Sequence, residues 1–362
     1  SHSVPEGWLI AAAGNPPEYN KSVREFDIVT LDRVRRMDIE ADLEVWMEYA
    51  WKKEIHGSIL AYLGMKKDHF YSVENTVDGK FFVTARGWED LSEILKAYEE
   101  LGVEITENLI GEYLCRDEIA RSFFASYQLY RKYGEDYGLK RLLSGEMAEE
   151  EQQKKVKMAE GASFEERFLV TGLLLSGLNG SFLDYEKLDK ETGAVYQELL
   201  HLKAFLHDKK DMTALDEFTD VKKKSLAVRL EAELLNLEQQ TTEEFVIRTL
   251  EEFSLTIRKE HITDTETGFE RIRQLFTEMV EKRKDCAKKI SRELERAFAF
   301  MKACFGDGQE TVLFVTGLTR NSHAAAFIRE YGCDPYFACS EKLLYRKQEK
   351  KLQEECESLL KI

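Results

Sequence analysis

The residues best suited to chemistry lie near the start of the chain, where an amide is followed by a group of arginines. The apolar run "WLIAAAGN" ends at Asn15, and the later segment "LDRVRR" contains Arg33 and Arg36. An amide donates and accepts hydrogen bonds without adding charge, so Asn15 can hold a water molecule between a general base and a phosphate. The planar arginine cation stabilises charge that develops on a transferring phosphoryl group. These residue types are compatible with phosphoryl transfer.

Each of these residues also has a purely structural interpretation. An asparagine followed by Pro16 and Pro17 is a common turn former, and "DRVRR" is typical of a solvated helix end. If "WLIAAAGN" is instead a buried parallel strand, Asn15 lies at its carboxyl end, where α/β sheets place ligands. No single one of these residues distinguishes a structural role from a role in a ligand site. The order of the motifs along the chain does bear on that choice.

Composition limits the class of protein. The chain has 362 residues, 43% of them hydrophobic, which is enough for two or more domains with buried cores. Its 52 basic and 68 acidic residues give a formal charge of -16, whereas binders of nucleic acid or anionic membranes need a surplus of Lys and Arg on one face. The sequence contains neither an apolar run of roughly 20 residues nor a signal peptide at its start. We expect a cytoplasmic protein that binds neither nucleic acid nor membrane.

The six cysteines indicate no disulfide framework and no zinc ribbon, because no C-x-x-C pair occurs. Cys333 and Cys339, with His323 upstream, come nearest to a metal site, but their spacing matches no common structural zinc pattern. We therefore expect free thiols in a core and no metal. A metal-dependent or thiol enzyme built on these three residues remains one alternative hypothesis.

The positions of the prolines and the hydrophobic periodicity predict the helices and strands that position the candidate residues. Only Pro335 follows Pro17, so the long interior should be mostly helical. A short amphipathic helix is predicted over residues 55–63, and "FYSVENTVDGKFFVTA" predicts two strands joined at Asp78-Gly79. The helix after this hairpin is predicted to begin at a Thr84 cap and to end at Gly102. Its predicted apolar stripe consists of Trp88, Leu91, Ile94, Leu95 and Tyr98.

The chain beyond Glu107 is predicted to be mostly helical. Residues 146–157 are predicted as a loop, and residues 269–305 as an antiparallel helical hairpin or bundle. A buried helix is predicted from "FEERFLVTGLLLSGLNGSFLDYEKL", with a turn at Asn179-Gly180; its Gly172 and Gly177 lack the Lys-Ser/Thr pair of a phosphate loop. The segments "ETVLFVTGLT", "NSHAAAFIREYG" and "DPYFAC" predict a βαβ-like unit, followed by a charged helix over residues 341–362.

The order "GNPPEYN", "LDRVRR", "TARGWEDL" resembles the second half of the MoxR-like AAA+ ATPases. In that family a strand ending in Asn-Pro carries sensor 1, a downstream "LDR" carries the arginine finger, and a lid helix opens with the sensor 2 arginine. The resemblance covers residues 8–102. It implies that Asn15 is sensor 1, Arg33 the arginine finger with Arg36 as a helper, and Arg86 sensor 2. It also implies ATP and Mg²⁺ as cofactors, a ring that is expected to be a hexamer, remodelling of partner proteins, and a von Willebrand A domain protein as a plausible partner.

The sequence departs from that family in its nucleotide cradle. No G-x-x-x-x-G-K-[ST] motif occurs, and no apolar strand ends in the Asp-Glu pair that holds Mg²⁺. We therefore expect the chain to start after those elements and to be inactive by itself. The predicted fold is mainly α, with an α/β core remnant at 1–38, a lid-like domain at 39–110, a helical domain at 111–305 and a small α/β unit at 306–362. A non-enzymatic helical interaction module, in which Asn15, Arg33 and Arg86 are only structural, is the other alternative.

Overall fold

Two compact units make up the chain, Ser1–Asp42 and Leu43–Ile362. The structure, a computed structural model, describes residues 7–8, 10–14, 29, 32–35, 37–76, 79–209 and 211–342. Within the described part of the first unit, residues 8 and 10–14 form no strand, so the strand predicted over "WLIAAAGN" is not found there. Most of the charged helix predicted over 341–362 lies outside the described residues.

The second unit opens with two helices, a hairpin and a third helix. Its first elements are α1 (Leu43–Lys52), α2 (Gly57–Met65), a 3₁₀ turn (Lys67–His69), β1 (Ser72–Thr76), β2 (Gly79–Val83) and α3 (Ala85–Leu101). The strands pair antiparallel with Ser72 opposite Val83, which confirms the predicted hairpin. Helix α2 is not amphipathic as predicted, because consecutive residues from Gly57 to Leu63 are all buried.

The rest of the unit is helical in its described residues. The helices are α4 (Glu107–Tyr113), α5 (Asp117–Tyr137), α6 (Leu139–Ser144), α7 (Glu149–Glu160), α8 (Phe164–Leu206), α9 (Thr213–Glu231), α10 (Leu237–Lys259), α11 (Thr265–Phe305), α12 (Gln309–Arg320) and α13 (Ser322–Tyr331). Residues 334–342 are also helical. The prediction of a mainly α protein is confirmed.

Three predicted interruptions are wrong. The predicted loop over 146–157 is largely helix α7, the predicted hairpin over 269–305 lies within the single 41-residue helix α11, and α8 runs for 43 residues through Asn179-Gly180 without a turn. Gly172 of α8 serves packing: a Cβ there would lie 2.8 Å from the Ala61 Cβ, so glycine allows α2 to approach closely. Asn179 is tied to another helix, since Asn321 Nδ2 donates to its side-chain oxygen at 2.6 Å.

The predicted C-terminal βαβ-like unit is also wrong, because "ETVLFVTGLT" and "DPYFAC" are helical. In α12 the buried residues Thr311, Phe314, Val315 and Leu318 recur three or four apart, the period of a helix face. The hydroxyls of Thr316 and Thr319 donate to main-chain carbonyls four residues earlier, at 2.8 Å each. Burial of this face outweighs the strand preference of the β-branched residues.

Two hydrophobic cores lie along the long helices α8 and α11. The larger core includes Tyr62, Trp88 and Phe123 and receives the first half of α8, the second half of α11, and helices α12 and α13. The smaller core is built from the second half of α8, helices α9 and α10, and the first half of α11, with Leu202 and Leu250 at its centre. Helices α8 and α11 each contribute to both cores without a break and so connect them.

Candidate functional site

Arg86 lies in the first turn of α3, directly after the hairpin. Thr84 caps this helix as predicted, its hydroxyl accepting a hydrogen bond from the Gly87 N–H at 3.2 Å. The Arg86 side chain is exposed, and no ion pair or hydrogen bond joins its guanidinium to any residue in the described part of the chain. A free cation at a helix N-terminus, where the dipole also favours negative charge, suits an anionic ligand such as phosphate.

The residues that follow Arg86 fix this turn in the core. A Cβ on Gly87 would lie 2.8 Å from the Tyr113 carbonyl oxygen, so only glycine allows α3 to approach the end of α4 this closely. Trp88 is fully buried, and its indole N–H donates to the Phe70 carbonyl at 3.1 Å. The backbone position of Arg86 is therefore set by packing that the arginine does not itself provide.

The other predicted site residues lie in the first unit. Arg33 is exposed in a turn. Asn15 and Arg36 lie outside the described residues. Arg33 and Arg86 belong to different compact units. Their predicted cooperation at one nucleotide site remains a prediction.

The residues considered for a thiol or metal enzyme have structural surroundings. Burial raises the pKa of the Cys333 thiol, which disfavours the nucleophilic thiolate. The His323 ring contacts the Glu186 carboxylate through Nδ1. In the described part of the chain, no group of three His, Cys, Asp or Glu side chains is placed to hold a metal ion.

One arrangement that the sequence analysis missed resembles a hydrolase triad but caps a helix. His56 Nδ1 lies 2.7 Å from the Ser58 hydroxyl and accepts the Ser58 N–H, while Nε2 lies 3.2 Å from Glu99. Ser58 is 1% exposed, so no substrate can reach its hydroxyl. Burial opposes ionisation of Glu99, but hydrogen bonds from His56 and Tyr127 outweigh it and lower the pKa of Glu99. This network joins α2, α3 and α5 and has a structural role.

A large groove, which the sequence analysis also missed, lies where the two cores meet. It has a volume of about 1400 Å³ and is lined by the middle of α8, the first half of α10, helix α13 and the end of α1. Among its lining residues, Leu183 and Phe245 are half-buried, whereas the rings of Phe182 and Phe327 are buried in the walls. We name it the inter-core groove. No sequence motif indicates it, because its walls come from four distant segments.

Ion pairs cross the inter-core groove. Lys190 on α8 donates to Glu186 at 2.8 Å and to Glu238 on α10 at 2.5 Å. Burial alone would raise the pKa of Glu186, but the hydrogen bond from Lys190 and the proximity of His323 outweigh it and lower that pKa. The two contacts of Lys190 raise its own pKa. His323 Nε2 is buried without a hydrogen-bond partner among the described residues.

Comparisons of this chain with protein-family models, with curated proteins and with solved structures find no match. None of the helices in the described part of the chain combines the length and apolarity that crossing a bilayer requires.

Proposed function

We propose that this chain is the C-terminal part of a MoxR-like AAA+ ATPase that couples ATP hydrolysis to remodelling of partner proteins. The observation that carries the proposal is Arg86, an exposed cation without a partner in the described residues, in the first turn of a helix whose next turn is fixed by Trp88. This is the arrangement expected of a sensor 2 arginine at the start of a lid helix. The capped helix and its hairpin support the lid interpretation of residues 39–110.

Each candidate residue has a proposed role toward ATP. Arg86 contacts the phosphates of its own subunit's nucleotide, and Asn15 orients the attacking water. Arg33, with Arg36 beside it, stabilises the phosphoryl charge in the site of a neighbouring subunit. Mg²⁺, when bound with ATP, would neutralise the charge that develops on the phosphates. The residues that hold Mg²⁺ and cradle the phosphates are proposed to lie outside these 362 residues.

The proposed assembly is a ring, with six subunits as the expected number, because an arginine finger acts on the nucleotide of the next subunit. A von Willebrand A domain protein is a proposed partner. The proposed location is the cytoplasm, because the six cysteines show no pattern of a disulfide framework.

The test is ATP hydrolysis by the complete protein with its P-loop. Arg86→Ala is expected to lower kcat/KM for ATP by about 100-fold or more, because a fixed cation aimed at phosphate is lost. Arg329→Ala serves as the matched control, since Arg329 is also exposed and without an ion pair in the described residues. It should retain full activity, and the 362-residue chain alone should hydrolyse no ATP. Unchanged turnover in the Arg86 variant would reject the sensor role.

A non-enzymatic interaction module is the second candidate, and the inter-core groove favours it. A groove of about 1400 Å³ exceeds the volume of about 300–1,000 Å³ that is typical of small-molecule pockets. If the complete protein neither binds nor hydrolyses ATP while partner binding persists, this candidate replaces the ATPase.

A further inference from the structure

The inter-core groove combines a small apolar surface with an excess of negative charge. Four cations line it: Lys52, Lys187, Lys190 and Arg248. Four of its carboxylates take part in ion pairs: Glu186, Asp189, Glu238 and Glu330. Four more have no ion-pair partner among the described residues: Glu54, Asp184, Glu191 and Glu244. The carboxylates therefore outnumber the lining cations by eight to four.

The charge and shape of the groove restrict what can fill it. The excess of carboxylates repels phosphates, nucleic acid and acidic segments. The volume exceeds that of small-molecule pockets, and an α-helix about 10 Å across occupies on the order of 120 Å³ per residue. The groove therefore has room for roughly three turns of a helix.

The walls of the groove suit a helix with two different faces. Ala326 is exposed on α13 beside the buried ring of Phe327, so the surface there is small and apolar. Asp184 on α8 and Glu244 on α10 are exposed and contribute carboxylates from two different walls. An apolar stripe can pack on Ala326 and the half-buried Leu183 and Phe245, while flanking basic residues pair with these carboxylates, as in helix-in-groove recognition.

We propose that the inter-core groove is a docking site for a basic, amphipathic helical segment of a partner protein. The site is independent of the proposed ATP hydrolysis, because it requires no nucleotide. It assigns a binding role to the region after residue 107, in which the sequence contains no recognised motif.

Fluorescence anisotropy with the full chain tests the proposal, using a labelled 18-residue helical peptide of Leu and Lys with one apolar face. The peptide should bind saturably, and Asp184→Lys with Glu244→Lys should weaken binding about tenfold or more through like-charge repulsion. Glu135→Lys with Glu146→Lys is the matched control, because both are exposed, lie outside the groove and have no ion pair in the described residues. Its affinity should stay within about twofold of the original.

A second variant separates shape from charge. Ala326→Trp fills the groove without changing its charge and should also abolish peptide binding, while thermal melts confirm that both groove variants fold. Equal loss of binding in the groove and control double variants would overturn the proposal, as would unaltered binding to the Ala326 variant. Tighter binding of a peptide with Glu in place of Lys would overturn it too. The proposal would also be overturned if sedimentation experiments showed that the chain forms a dimer and that the groove variants abolish it. The occupant of the groove would then be a second copy of this chain.

Discussion

Arg86 and Trp88 are separated by one residue, yet their side chains lie in opposite environments. Trp88 packs between the rings of Tyr62 and Phe123, with ring centroids at 5.9 and 5.3 Å, and donates its N–H to a main-chain carbonyl. Arg86 faces solvent without a partner in the described part of the chain. An exposed cation that contributes nothing to packing is available for binding.

This contrast predicts that two alanine substitutions change the free energy of unfolding by very different amounts. Trp88→Ala should destabilise the protein by about 3 kcal/mol or more, because it leaves a cavity in the core. Arg86→Ala should change stability by no more than about 0.5 kcal/mol, as surface substitutions usually do. Urea denaturation followed by circular dichroism measures both. A large loss in the Arg86 variant would mean that the arginine stabilises the fold.

Glu186 contributes stability that depends on pH. Its pKa in the folded chain lies below the reference value of 4.5, so the contribution is present above pH 4.5 and is lost as pH falls through the folded pKa. Glu186→Gln should therefore cost about 1 kcal/mol at pH 7, a value reduced by the partial exposure of the side chain, and this cost should disappear once the pH falls below the folded pKa. Denaturation curves at several pH values measure the difference.

Glu244→Gln is the matched control for the pH experiment. Glu244 also lines the inter-core groove but has no ion pair among the described residues. Its substitution should change stability little at any pH in this range. If the two variants have the same pH profile, the contacts of Glu186 with Lys190 and His323 do not provide the stabilisation.

Local signals were sufficient to predict helix α3. The Thr84 hydroxyl caps its first turn, and Gly102 ends it with φ 67°, a left-handed conformation that favours glycine. Both effects depend only on residues next to them in the chain. Contacts between distant residues have no such local signal: His323 and Glu186 are 137 residues apart, so spacing could not associate them.

Helix α12 shows where local preference misleads. Residue types such as Thr, Val and Phe favour strands when only local preference is considered, and a strand was therefore predicted over this segment. The residues Phe314, Val315 and Leu318 are buried together only when the segment is helical. Interactions with the rest of the core therefore decide this element.

Asn321 connects the start of α13 to the middle of α8, which predicts a graded series of variants. Its side-chain oxygen accepts the main-chain N–H groups of His323 and Ala324, and its Nδ2 donates to Asn179. Asn321→Ala should cost about 2–3 kcal/mol, from loss of the cap and from the buried Asn179 oxygen left unpaired. Asn321→Ser keeps a capping oxygen and should therefore be about 1 kcal/mol less destabilising than Asn321→Ala.

Thermal or urea denaturation of the two Asn321 variants, each with and without Asn179→Ala, tests this account. The cost of Asn321→Ala should fall when Asn179 is already alanine, because the contacting residues share one interaction. Additive costs would show that the hydrogen bond between the two amides contributes nothing to stability.

Over the described residues, the second unit consists of two cores on shared helices. Helices α8 and α11 continue from the larger core into the smaller one. This continuity was not predicted, because a turn was expected at Asn179-Gly180 and an antiparallel helical hairpin or bundle over residues 269–305. A Cβ added to Gly180 would meet no atom within 4 Å, so this glycine marks neither a turn nor a close packing contact.

The proposed ring predicts that Arg33 acts on the nucleotide of a neighbouring subunit. In the complete protein, Arg33→Ala should lower ATP turnover on the order of 10³-fold or more while leaving ATP binding and stability unchanged. A variant of the P-loop lysine should lose ATP binding as well. Mixing the two inactive variants should restore part of the activity, because some interfaces then pair an intact cradle with an intact Arg33. Turnover of the mixed subunits measures this complementation.

Asn15 provides the internal control for complementation. As the proposed sensor 1 it would act in its own subunit's site, so a chain that lacks both the P-loop lysine and Asn15 should still donate Arg33 to its neighbour. Activity should therefore be recovered when this double variant is mixed with the Arg33 variant. Exchange of differently labelled subunits, followed by energy transfer, establishes that mixed rings form. If mixed rings form and no activity returns, Arg33 does not act between subunits, and the ring mechanism proposed for this chain fails with it.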